Sequence, residues 1–149
     1  MKNSETSSLT PFQAPAKWRV AAILLLSFVG FADAAYLTAY HFLGQIPACS
    51  FGNCEKVLSS PYAVLGGVPI ALLGALYYLT LFLLVVAYLD TKRTTFFSYA
   101  TRLTVIGLLA SFGLVYLQLF VLLAICVYCM VSAATSTLLF LVGIGAMRR

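Results

Sequence analysis

Polar positions punctuate this chain sparsely, and the intervals between them set its architecture. From Val20 to about Leu43 the sequence is apolar, interrupted only by Asp33 and His41, and a second apolar run extends from Pro69 to about Leu89. Residues 103–147, between Arg102 and Arg148, hold no Lys, Arg, Asp, Glu or His. That interval of 45 residues is about twice the roughly 20 residues that one bilayer crossing needs, so it must fold back on itself. Counting about 21 residues inward from each end places the turn between Leu123 and Val127. The expected spans are therefore about 18–43, 69–89, 96–123 and 127–147. They predict an all-α integral membrane protein, a four-helix transmembrane bundle whose first span opens on the interfacial pair Trp18-Arg19.

Residues 44–68 form the one long polar connection, an outer loop. Connections of more than about 15 residues are uncommon in compact proteins unless they carry function or are disordered, and this one carries Cys49 and Cys54. Asn53 reads as an N-cap, so Cys54-Glu55-Lys56-Val57-Leu58 predicts a short helix ended by Ser60-Pro61. Pro69 suits the first turn of the second span, and Asp90-Thr91-Lys92-Arg93 reads as a charged turn before the third. Residues 1–17 form a polar tail with Pro11 and Pro15 and no apolar period, which predicts disorder. Small residues four apart (Ala71 with Ala75, Gly107 with Ser111, Ser132 with Ser136) read as close helix contacts. Ala32-Asp33-Ala34 loosely resembles a signal-peptide cleavage site, but the apolar run continues through Tyr40, too long for a signal core.

Composition supports the membrane reading. The 149 residues are 62% hydrophobic and 9% charged, with a mean hydropathy of +1.01, outside the range of soluble domains. The net charge of +5 does not form a basic patch, which argues against nucleic acid as a partner. Instead, Lys2, Lys17, Arg19, Lys92, Arg93, Arg102, Arg148 and Arg149 fall on the terminus side of the bundle and only Lys56 on the other. Under the positive-inside rule the termini are cytoplasmic, and all four cysteines then face the outer, oxidising side.

Those cysteines are the candidate chemistry. They stand as C-x4-C in the loop (Cys49, Cys54) and as C-x2-C at the rim of the fourth span (Cys126, Cys129). Static disulfides and a zinc site are two readings of such spacing, but staples add little to a lipid-enforced bundle and an oxidising face disfavours thiolate ligands, so no metal is expected. Thiol–disulfide exchange is the third. Cys54 in the first turn of a short helix and Cys126 at the start of the fourth span both meet positive helix ends, which favour the thiolate. Residues three apart on a helix lie within disulfide reach, so the C-x2-C pair can open and close with little backbone motion. The loop pair is placed to meet a soluble protein and the rim pair to meet something dissolved in the lipid.

In their order, Cys49, Cys54, Lys56-Val57-Leu58-Ser59-Ser60-Pro61-Tyr62-Ala63, Gly67-Val68-Pro69, Gly74 and Cys126-Val127-Tyr128-Cys129 resemble the prokaryotic vitamin K epoxide reductase homologues. The resemblance covers about residues 30–136 and implies a four-helix bundle around a quinone of the menaquinone or ubiquinone type. It further implies a bacterial cell-membrane enzyme that oxidises a secreted or membrane-anchored thioredoxin-like (DsbA-like) protein, expected as a separate partner because the chain ends at Arg149. By that resemblance Cys49 and Cys54 are the shuttle pair, Cys54 exchanges with Cys126, Cys129 faces the quinone, and Ser60 matches a loop serine that helps close the pocket. At Ala133 and at Val68 to Ile70 the chain departs from the vertebrate enzymes, which carry a quinone-contacting Tyr and a pocket Asn there. Simple quinone reduction, rather than epoxide opening, is the expectation that follows.

Among the remaining polar residues, Gln118 on the outer half of the third span is positioned to reach a quinone oxygen or another helix. Asp33 inside a span reads either as functional or as hydrogen-bonded to neighbouring helices. His41 and Tyr128 read as interfacial anchors. Two alternatives stand beside the oxidoreductase. A DsbB-like oxidase carries its C-x2-C in the first outer loop, an order this chain does not have. A structural or transport membrane protein with static disulfides predicts no thiol-dependent quinone reduction.

Overall fold

The computed structural model describes residues 14–147. The first thirteen residues of the expected tail, Lys2 among them, and the terminal Arg148 and Arg149 lie outside the described residues. Four helices are long and apolar enough to cross a membrane: α1 (Lys17–Phe42), α3 (Ile70–Thr91), α4 (Thr94–Tyr116, continued by a π-helical turn at Leu117–Val121) and α5 (Val127–Met147). A fifth helix, α2 (Cys54–Leu58), sits in the long connection. This is the expected all-α membrane bundle. Leu25, Phe28, Leu83, Val86, Ile106 and Leu109 stand exposed on its outer surface, a side-chain set that lipid would cover and water would not tolerate as a continuous belt.

Neighbouring helices are α1 with α3, α3 with α4, α4 with α5 and α5 with α1, so the four close into a ring with α3 and α5 on a diagonal. The packed core fills the half of the bundle nearer the termini, where Ile23, Leu81, Val85, Phe97, Ala100 and Leu139 are buried together. Hydroxyls inside it are silenced locally. Ser27 donates to the Ile23 carbonyl at 2.7 Å, Thr38 to Ala34 at 2.7 Å and Thr104 to Thr101 at 2.6 Å, which spares the hydrocarbon region an unpaired donor. At the terminus end Arg19 lies 5.3 Å from the Trp18 ring centroid and packs over Gly145 of α5.

Tyr78 spans the diagonal. Its hydroxyl meets the Ser132 carbonyl at 2.7 Å, the Ser132 hydroxyl at 2.9 Å and the Ser136 hydroxyl at 2.8 Å, while its ring lies on Gly30, where a Cβ would collide with it. The small-residue pairs thus act differently from the sequence expectation. Ser132 and Ser136 receive a tyrosine from across the bundle, and Gly107 receives the Tyr77 hydroxyl.

Other elements also differ from expectation, each for a local reason. The charged turn is shorter than Asp90-Arg93, because α3 continues through Thr91 and then stops at Lys92, whose left-handed backbone (φ +55°) lets its N–H return to the Tyr88 carbonyl at 2.8 Å. The third span does not run as one α-helix to Leu123. It widens into the π-helical turn, and Leu123 adopts φ +47°. In the long connection Asn53 stands at the N-cap position of α2 but makes no side-chain cap; its backbone N–H donates instead to the Ile125 carbonyl at 3.0 Å. Beyond α2, a 3₁₀ turn (Pro61–Ala63) leads into a two-stranded antiparallel hairpin, β1 (Val64–Leu65) and β2 (Val68–Pro69), around Gly66-Gly67, an element the sequence reading passed over.

Candidate functional site: two cysteine pairs above an intramembrane cavity

The site is assembled from the end of α4 and from the long connection. At the π-helical turn the Gln118 carbonyl accepts the Ala124 N–H at 3.0 Å, and its side-chain Oε1 accepts the Cys126 N–H at 2.8 Å. One residue, 2% exposed, therefore fixes the segment that carries the chain back into α5. Cys126 immediately precedes α5 and its carbonyl takes the Met130 N–H at 3.0 Å, closing the first turn. Cys129 follows one turn later, and both are free thiols, Cys126 buried and Cys129 half-buried.

Cys49 and Cys54 are joined by a disulfide, with Cα atoms 6.2 Å apart. The loop they close is pressed onto the Cys126 segment. Gly52 and Cys126 form an isolated antiparallel bridge. Gly52 also has φ +90° and lies so close to the Ile125 carbonyl that a Cβ there would overlap it, so glycine is required on both counts. The Tyr128 hydroxyl donates to the Ala48 carbonyl at 3.2 Å, and its ring stacks obliquely on Tyr36 at 5.5 Å. Cys54, Val57, Ala124 and Cys126 are buried in a single cluster, with Cys49 and Cys129 packed against it. The two pairs are thereby brought into one apolar nest.

Electrostatics distinguish Cys126. Hydrogen bonding from the Cys129 thiol, helped by the backbone N–H groups of Cys129 and Tyr128, outweighs burial and lowers its pKa to about 7. The thiolate of Cys126 is thus accessible near neutral pH.

Beneath this nest lies a cavity of about 910 Å³. Its walls come from all four long helices, with Leu37 on α1, Gly74 on α3, Ser111 on α4 and Cys129 on α5 among them, and the loop closes the top through Leu58 and Ser60. Leu73 of α3 and Ile106 and Tyr116 of α4 line it while also standing exposed, as do Gln45 and Ile46 at its loop end. Ser60 lines the cavity but its hydroxyl is turned to the Val57 carbonyl at 2.7 Å, ending α2. Gln118 also lines it, with its side-chain oxygen engaged by Cys126. His41 stands exposed at the rim. Asp33 faces the cavity with Oδ2 buried and unpartnered among the described residues, and the Tyr77 hydroxyl is in the same condition.

Sequence reasoning singled out the four cysteines, Ser60 and Gln118, and the structure brings all six to the nest or the cavity wall. It did not single out Gly52 or Tyr77, and it read Tyr128 as an interfacial anchor, whereas its hydroxyl reaches the Ala48 carbonyl of the loop. The Gly52-Asn53 step beside a cysteine was a readable sign of a tight approach, whereas nothing in the spacing of Tyr77 marks it from its apolar neighbours. As to known proteins, a sequence model of the family described as VKOR, the vitamin K epoxide reductase family, matches residues 21–144. No individual curated protein matches the chain.

Proposed function

The chain belongs to the vitamin K epoxide reductase family, a multi-pass membrane oxidoreductase of disulfide chemistry, and from that premise we propose that it oxidises a thioredoxin-like protein and reduces a membrane quinone. The observation that carries this reading is the continuity of the thiols. Cys54 and Cys126 share one buried cluster, and Cys129, one helical turn on, is part of the cavity wall.

The cavity suits such a ligand. Its volume falls in the range of small-molecule sites, roughly 300–1,000 Å³, its wall is mainly apolar, and two buried polar atoms in it have no partner. A quinone bound there supplies an acceptor for two electrons and two protons. The protein's own residues do the rest. A partner thiolate attacks Cys49, expelling Cys54, and the partner's second thiol completes its own disulfide, leaving Cys49 and Cys54 reduced. Cys54 then attacks Cys126 of a Cys126–Cys129 disulfide, expelling Cys129, and Cys49 resolves the mixed disulfide. The result joins Cys49 to Cys54 and leaves Cys126 and Cys129 as thiols, which is the arrangement of bonds seen here. On this reading it holds the electron pair beside the cavity. Gln118 keeps Cys126 in register, and Ser60 ends α2 where the loop roofs the site. The basic residues at the terminus end orient the cysteines outward.

The test is quinone reduction, followed by absorbance, in purified protein given a reduced thioredoxin-like protein or a small dithiol. Cys126→Ser and Cys129→Ser should each abolish it with both donors. Cys49→Ser should lose the protein donor and keep much of the activity with the small dithiol. Absence of reduction by the unaltered protein with both benzoquinones and naphthoquinones would overturn the proposal.

A further inference from the structure

We infer that Asp33 and Tyr77 are the polar contacts of this protein for the ring oxygens of its quinone, Tyr77 as the hydrogen-bond donor that holds one carbonyl and Asp33 as the group that passes a proton to it. The inference rests on the quinone reading and assigns chemistry to two residues which that reading leaves without a task.

Burial and pairing among the polar groups of the cavity wall point to them. The Tyr78 hydroxyl is saturated by Ser132 and Ser136. The side-chain oxygen of Gln118 is taken by the Cys126 N–H, and the hydroxyls of Ser59, Ser60 and Ser111 each donate to a nearby backbone carbonyl. Among the described residues, the fully buried side-chain atoms left unpartnered in this wall are Asp33 Oδ2 and the Tyr77 hydroxyl. Leaving a buried polar group unpaired costs stability, a cost the cavity's occupant removes if it carries oxygens at the right place.

Packing brings α1 and α3 together at the level of the two residues. Gly30 of α1 lies under the Tyr78 ring, and Gly74 of α3 faces Ala34, where an added Cβ would sit 3.6 Å from the Ala34 side chain. Asp33 is three residues beyond Gly30 and Tyr77 three beyond Gly74, so each lies within one turn of a glycine at that contact. Tyr77 is held there from two sides. Its ring meets Tyr78 edge-on at 5.0 Å, and its hydroxyl end occupies the space that Gly107 of α4 leaves open.

The chemistry needs both kinds of group. A quinone carbonyl only accepts hydrogen bonds, which the Tyr77 O–H supplies, whereas two-electron reduction leaves two ring oxygens that must each take up a proton. Closing the Cys126–Cys129 disulfide frees two electrons and two protons. Asp33 in its acid form donates a proton to the neighbouring ring oxygen as the electrons arrive, and recovers one of the two that the thiols release; the second goes to the other oxygen.

Full-length protein in lipid nanodiscs, with ubiquinone-1 and menadione as probes, tests this by calorimetric binding and by dithiol-driven reduction. Tyr77→Phe should weaken binding about tenfold, the equivalent of one lost hydrogen bond of about 1.4 kcal/mol, while leaving the ligand-free melting temperature unchanged or raised. Gly107→Ala, which displaces the Tyr77 hydroxyl without removing it, should weaken binding in the same direction. Asp33→Asn should bind within about threefold of the unaltered protein but turn over at least tenfold more slowly, as expected for loss of a proton donor. Unaltered binding in both Tyr77→Phe and Gly107→Ala, or unaltered turnover in Asp33→Asn, would overturn the assignment even where the unaltered protein reduces quinone. If the unaltered protein binds a probe but fails to reduce it, the proposed function falls and the Tyr77 binding result alone decides the inference. Binding of neither probe overturns it.

Discussion

The side-chain oxygen of Gln118 accepts the backbone N–H of Cys126 at 2.8 Å, while the Gln118 carbonyl accepts Ala124 N–H at 3.0 Å. This double hold converts the end of α4 into a clamp on the redox segment. Replacing Gln118 with Leu should leave the Cys126 N–H buried without a partner, at a cost of about 1–3 kcal/mol. Glu in its place keeps an acceptor and should lose less. Thermal melts of the two variants in the same detergent, with quinone reduction measured alongside, check both the size and the order of the effect.

Gly52 anchors the other side of the same contact. With φ +90° and the Ile125 carbonyl against it, Gly52→Ala should cost at least the roughly 1–2 kcal/mol of a left-handed alanine. The loosened bridge should show as faster amide hydrogen exchange at Asn53, by tenfold or more, with α1 and α3 unaffected. Equal protection in both proteins would mean the loop does not rely on this approach.

The lowered pKa of Cys126 sets a pH dependence. Because hydrogen bonds from Cys129 and the backbone favour the thiolate, Cys126 should be protonated and a poor nucleophile well below pH 7. It should become increasingly reactive as pH rises through about 7. Thiolate absorbance near 240 nm, taken as the difference between the protein and its Cys126→Ser variant, should titrate with that midpoint. Cys129→Ala removes the leading donor and should move the midpoint upward.

Cys54 and Cys126 should also be trappable. In a Cys49→Ser, Cys129→Ser double variant no resolving thiol remains, so mild oxidation should join Cys54 to Cys126, a bond that requires their Cα atoms within about 6 Å. Non-reducing proteolysis and mass spectrometry should find the cross-linked peptides. Two free thiols would rule out the relay.

What could be read from the sequence follows from how far each signal reaches. The charge-free interval before Arg148 forces a fold-back, and α5 indeed starts at Val127. The short helix Cys54–Leu58 was legible because Ser60-Pro61 ends it. The π-helical turn at Leu117–Val121 was not, since no Gly or Pro marks it. The Val64–Pro69 hairpin was announced by Gly66-Gly67 between apolar residues, a recognised hairpin signal, and was obscured by reading the whole connection as polar. Gln118 was noted for its place but not its bond: periodicity says which turn a side chain is on, and only the folded chain says that Cys126 N–H is its neighbour. Asp33 stood out as an ionisable group inside a span, yet that it finds no partner among the described residues is a property of the packed helices.

Leu73, Ile106 and Tyr116 give the cavity an exposed wall on α3 and α4, an entry path that leads from the bilayer. A ligand that uses it is counted by its mole fraction among lipids, not by its amount per volume of buffer. In vesicles, adding plain lipid at fixed total ligand should slow turnover by surface dilution, while diluting the whole suspension should leave the rate per protein unchanged. Saturation curves for this protein then acquire meaning only on a two-dimensional scale, with the membrane itself as the reaction vessel.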